Sequence, residues 1–223
     1  MRIVSWELHR IVGEAICGFS SKDIDRLIDA FPGHDASRYD ANALVELYRK
    51  IKGRYGDKGV CYMVLHHFLD RLKDIIVSLV SKFETFENVQ NVCTSFADTA
   101  FERLVRDDKN ILTCMYSVEC FNVCFSDTVP RRVFEELWSW IDHVLQELRS
   151  KWRKVLFAIL IDKDFESTFR RAMYAAAMRG LSKAYRIVWG TYRGSLAEAQ
   201  RDIEVYIHKA LELYRKLIEC YKP

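Results

Sequence analysis

Only three prolines and nine glycines interrupt a chain of 223 residues. That scarcity restricts the fold more than any other property. Proline and glycine end helices and shape tight β turns, and neither an Asn-Gly nor an Asp-Gly hairpin signal occurs. Half of the residues are hydrophobic, enough to fill a core. The expected fold is all-α. It is an antiparallel helical bundle with short turns and two long helices, over about 58–86 and 130–161.

Periodicity places the elements. A helix over 3–17 puts Val4, Leu8, Ile11, Ala15 and Phe19 on one face. Ser20 with Asp23 forms a capping-box pattern for a short helix to Phe31, stopped by Pro32-Gly33. Asp40 caps a helix through Lys52, ended by Gly53 and Gly56. Leu65, Phe68, Leu72, Ile75, Ile76, Leu79, Phe83 and Phe86 then recur at helical steps across 58–86. Helices over about 89–106 and 111–125 follow. Pro130 opens a stripe of Val133, Leu137, Trp140, Val144, Leu148, Trp152, Val155 and Ile159. A helix over 130–161 would be on the order of 45 Å long. A helix over 164–189 ends at Gly190, and Ser195 with Glu198 caps the last helix, to about Tyr221. Residues 1–125 form an N-terminal helical region and 126–223 a C-terminal three-helix region, read as one continuous domain.

The longest apolar run, 155–161, falls far short of the ~20 residues that a membrane span needs. Glu7, His9, Arg10 and Glu14 break up any signal-peptide core, so a cytoplasmic or virion location is expected. The seven cysteines form no C-x-x-C pair, and Cys114, Cys120 and Cys124 have no neighbouring histidine. They are read as buried small hydrophobes, with the intracellular disulfides of a hyperthermophile as the alternative. His66 and Asp70 lie one helical turn apart, but two donors do not make a site and no H-E-x-x-H pattern accompanies them. No metal and no cofactor are therefore expected. No Gly-rich phosphate loop and no G-x-S-x-G argue for small-molecule catalysis.

Charge is where the chain is uneven. Residues 149–193 hold eleven Lys/Arg against Asp162, Asp164 and Glu166, a net +8 in a chain of +3. Arg149, Lys151, Arg153 and Lys154 form a first basic patch. On the helix over 164–189, Arg171, Arg179, Lys183 and Arg186 fall on one arc, with Ala175 and Ser182 between them and no acid interrupting it, and Arg193 follows in the loop. The opposite arc carries Phe169, Met173, Ala176, Ala177, Gly180, Ala184, Ile187 and Val188, a packing face. A solvated face normally mixes signs. A stripe of one sign suits a phosphate backbone lying along it. The nine cations are the candidate nucleic-acid contacts, to DNA or RNA. The expected function is that of a non-enzymatic, self-associating assembly protein, coat- or nucleocapsid-like or architectural. In kind it is similar to the coat proteins of archaeal filamentous viruses. A protein–protein module whose stripe docks on acidic groups is the alternative.

Arg201 and His208 carry a second alternative. Their spacing resembles the R-x4-6-H motif of HEPN-family ribonucleases, which are also helical bundles. The resemblance covers the last helix or two. It implies metal-independent RNA cleavage by Arg201 and His208 of two protomers meeting across a dimer. The residues themselves read differently. Arg201, Glu204, His208, Glu212 and Arg215 alternate in charge along one face, as an exposed helix surface does.

Overall fold

A computed structural model describes residues 5–30, 41–81, 93, 96–105, 131–187 and 196–223. Among these the fold is all helical, with no strand. The helices are α1 (Trp6–Cys17), α2 (Lys22–Asp29), α3 (Ala41–Ser81), α4 (96–105), α5 (Arg131–Ser150), α6 (Trp152–Leu160), α7 (Lys163–Ile187) and α8 (Leu196–Tyr221). The expected helix over 111–125, the Asp40 and Ser195 caps and the Pro130 start lie outside the described residues.

The centre of the bundle is α3. Every residue from Val60 to His66 is buried. A helix that is apolar around its circumference must be covered on all sides. Here α1, α2, α5, α7 and α8 all pack against it. The chain breaks at Gly56, whose φ of 64° and ψ of −154° only glycine adopts readily. Gly53, by contrast, stays helical. Tyr48 and Lys52, just before the break, both bond Glu136 of α5.

The expected single helix over 130–161 is two helices, divided at Lys151 (φ −111°, ψ 12°). The Lys151 amide is shared between the carbonyls of Glu147 and Leu148, and Ser150 Oγ donates to the same Glu147 carbonyl at 2.8 Å. A hydroxyl that competes for a helical carbonyl bends the helix. The bend serves Trp152, whose indole Nε1 donates to the Ala97 carbonyl of α4 at 2.7 Å. The apolar stripe itself persists, with Leu137, Val144, Leu148, Trp152, Val155 and Ile159 buried.

At the N-terminus Ser5 caps α1 by accepting from the Leu8 amide, and Gly18 ends the helix at φ 59°. The buried face is Leu8, His9, Val12, Gly13 and Ile16, while Ile11 is 59% exposed. This corrects the face expected through Ile11. The helix is turned toward His9, which is buried against the His66 ring with Asp70 3.5 Å from its Nε2. Ser21, one residue later than expected, caps α2, and Ser20 donates instead to Glu14. Asp162 caps α7 through the Phe165 amide. The Phe169 and Tyr214 rings then stack 4.6 Å apart between α7 and α8.

Two disulfides, Cys17–Cys61 and Cys93–Cys220, correct the reading of these cysteines as free hydrophobes. The first ties the end of α1 to α3. The second ties Cys93 to the end of α8. Cys114, Cys120 and Cys124 lie outside the described residues.

At Gly13, α1 packs closely against α3. A Cβ there would lie 2.3 Å from the Tyr62 ring and 2.9 Å from the Phe19 carbonyl. The ring cannot retreat easily, because its hydroxyl is bonded to buried Asp25. Gly13→Ala is expected to destabilise the fold by about 1–3 kcal/mol, as overpacking does. Urea unfolding with a lower midpoint and an unchanged slope would show it; an unchanged midpoint would refute the close approach.

Candidate functional site

The structure describes the side chains of five of the nine candidate cations. Arg149, Arg153, Lys154 and Arg171 are exposed. Lys151 is half-buried in the α5–α6 bend and pairs with Glu147 at 2.5 Å. Among the described residues, none of the four exposed cations forms an ion pair. Arg149 lies over the Phe101 ring, 5.8 Å from its centroid. With Arg153 it borders a cleft of about 550 Å³ whose lining also includes Asp98, Glu102 and Trp152. Arg171 bonds the Ser167 carbonyl of its own helix, and Arg170 pairs with Glu166 one turn away. Arg179, Lys183 and Arg186 are on the α7 backbone, and their side chains lie outside the described residues, as does all of Arg193. Arg201 and His208 are exposed on α8.

A second constellation sits under α1, and sequence reasoning found only part of it. In sequence, only His66 and Asp70 stand out, as a pair one turn apart on α3. The structure adds His9 from α1 and Asp25 and Asp29 from α2. His9 and His66 are 2% and 1% exposed, and their rings stack at 3.9 Å with 9° between planes. Asp70 faces both, with Oδ1 3.5 Å from His9 Nε2 and Oδ2 3.4 Å from His66 Nε2. Asp29 Oδ1 is 3.6 Å from His66 Nε2. Behind them, His66 Nδ1 lies 3.2 Å from Asp25 Oδ1, which also accepts from the Tyr62 hydroxyl at 2.7 Å. Trp6 Nε1 donates to Asp29 Oδ2 at 2.6 Å. The sequence did hold a signal: Asp25 falls on the apolar face of α2, between Ile24 and Ile28. A carboxylate there has to find partners inside.

The electrostatics follow the geometry. Burial works against a charge on His66, but Asp25, Asp29 and Asp70 outweigh it and raise its pKa to about 9. Burial and the neighbouring His66 lower the pKa of His9. For Asp70, burial opposes ionisation, yet His9 and His66 hold its carboxyl well below the usual range. For Asp29, His66 and Trp6 likewise overcome burial and lower it.

No helix among the described residues is long and apolar enough to cross a membrane. No family model, curated protein or solved structure matches this chain.

Proposed function

We propose that this all-helical protein associates with the phosphate backbone of nucleic acid and assembles along it, as coat, nucleocapsid or architectural proteins do. One observation carries the reading: Arg149, Arg153, Lys154 and Arg171 stay exposed and, among the described residues, outside any ion pair. The rival account, a stripe docked on the chain's own acids, needs those acids free. Several instead have partners outside 149–193. Asp23 lies beside Arg26 and Arg54, Glu136 beside Lys52, and Asp25 beside Arg10 and His66. Exposed Ile11, Ile161, Tyr174 and Val205 offer apolar surface for contacts between copies. The two disulfides favour a virion or another oxidised setting over a reducing cytosol.

The test is salt dependence. Each phosphate neutralised on duplex DNA adds ~0.9 to the slope of log affinity against log salt. Changing Arg153 and Lys154 together to Gln is expected to lower that slope by about 1.8, with helicity unchanged. Changing Arg179 and Lys183 together to Gln is expected to do the same. Titrations with duplex DNA, duplex RNA and single strands at several salt concentrations read the result. No binding to any of them at low salt would end this reading.

A further inference from the structure

We propose that His9, His66, Asp70 and Asp29 bind one divalent transition-metal ion of the zinc type. The inference stands apart from the nucleic-acid reading and rests on other residues.

The distances are the first argument. Charged N–H···O bonds run at about 2.7–2.9 Å. The three Nε2-to-carboxylate separations here are 3.5, 3.4 and 3.6 Å, and neither Nε2 has a hydrogen-bond partner. Two ligands of a tetrahedral ion with bonds of about 2.0–2.1 Å stand roughly 3.3–3.4 Å apart. These three separations are close to the edge length of such a site; His9, His66 and Asp70 form the close set, and Asp29 adjoins it on the His66 side. One donor atom from each of His9, His66 and Asp70 lies within 4.8 Å of the others.

The second argument is lone-pair direction. His66 Nδ1 faces the Asp25 carboxylate, so its proton belongs there. Nε2 then points at Asp70 and Asp29. The space between that nitrogen and the two carboxylates calls for a positive charge, supplied by the ring's second proton in the metal-free protein and by the ion that displaces it when metal binds. The same Nδ1–carboxylate bond is the support that metal-bound histidines usually have. Tyr62 fixes Asp25, and Trp6 fixes Asp29. Both supports are in place around the donor set.

The third argument is composition and access. Two imidazoles with carboxylates suit zinc, and cobalt or iron(II) next, and are poor ligands for calcium. Asp70 is 30% exposed and Asp29 is 21% exposed, so the site opens to solvent on its carboxylate side while the imidazoles stay buried. An ion entering there would splay the two stacked rings until both lone pairs converge on it. The Cys17–Cys61 bridge holds α1, with His9, against α3, with His66 and Asp70.

The test uses the full chain with its disulfides intact. Protein is stripped with a chelator, then titrated with Zn²⁺ and with Co²⁺. One ion per chain is expected, with the visible bands of four-coordinate cobalt. X-ray absorption of the zinc form is expected to show nitrogen and oxygen neighbours, including two imidazoles, and no sulfur. His9→Gln and Asp29→Asn are expected to weaken binding by at least about 10–100-fold, the loss that even supporting residues of metal sites show. Absence of binding by the unmodified chain would overturn the proposal. So would sulfur in the first shell, or full affinity in both variants. If His9→Gln does not fold, the absorption spectrum of the unmodified protein and the Asp29→Asn titration decide between the same two outcomes.

Discussion

Reducing the disulfides is expected to lower the melting temperature by about 8–20 °C for each bridge lost. The bridges close loops between residues 44 and 127 positions apart. In the chain-entropy account, cross-links of that span stabilise by about 4 and 5 kcal/mol, because the unfolded chain loses that much freedom. For a chain of this length each kcal/mol moves the midpoint by roughly 2–4 °C. The two bridges act at different places. Cys17–Cys61 holds α1 on the central helix, and Cys93–Cys220 holds the last turn of α8 beside the segment leading into α4. Near that second bridge Tyr221 donates to the Cys93 carbonyl, so the same two strands of chain are joined twice. The measurement is thermal unfolding of matched oxidised and reduced samples, together with Cys17→Ala/Cys61→Ala and Cys93→Ala/Cys220→Ala variants. Alkylation in denaturant without reductant should leave at least these four cysteines unmodified. Midpoints that agree within 2 °C, or labelling of all seven cysteines, would sink the expectation.

These bridges also mark where the sequence stops being informative. Helices were legible because their signal is local. The apolar residues of α3 recur every three or four positions, and Gly56 shows its permissive role without any neighbour in view. Partners 44 and 127 residues apart leave no such trace. The bend at Lys151 was hidden for the same reason. The stripe through Trp152 is unbroken in sequence, and the partner that the indole meets beyond the bend is a carbonyl on α4, 55 residues away in the chain. Apolar residues alone point to the wrong face of α1. His9 is polar by type but buried by circumstance, and it draws the helix round toward Val12 and Ile16, leaving Ile11 outside. The His–Asp cluster gathers one residue from α1, two from α2 and two from α3. Only the two on α3 share a local spacing, so only they could be seen as a pair. The basic stripe is a local pattern on consecutive helices; five of its nine side chains are described, and four of those five are exposed.

Asp25→Ala should be the most damaging single substitution among the charged residues discussed. Asp25 is 0% exposed, and three groups from two other helices converge on its carboxylate. Tyr62 donates to Oδ1 at 2.7 Å, His66 Nδ1 stands 3.2 Å from the same oxygen, and Arg10 Nη1 lies 3.6 Å from Oδ2. Burial and Asp25 together push the Tyr62 pKa far above its usual value, so the hydroxyl remains a donor. Truncation removes the shared acceptor but leaves the buried donors where they are. Breaking a buried charged pair from one side costs about 3–5 kcal/mol, because the remaining partner stays desolvated. Two comparisons isolate the cause. Asp23→Ala breaks contacts of the same chemical type with Arg26 and Arg54, but those groups are largely exposed, and exposed pairs contribute about 1 kcal/mol or less. Tyr62→Phe removes a donor rather than the acceptor, and its loss should be about 1–3 kcal/mol. Combining Tyr62→Phe with Asp25→Ala should then cost less than the sum of the two, since the double variant no longer buries an unpaired hydroxyl. Urea midpoints of the unmodified chain and these four variants at neutral pH give every difference needed. If Asp25→Ala were no worse than Asp23→Ala, the carboxylate would not be organising α1, α2 and α3 around it, and the arrangement of His9, His66 and Asp70 would need another support.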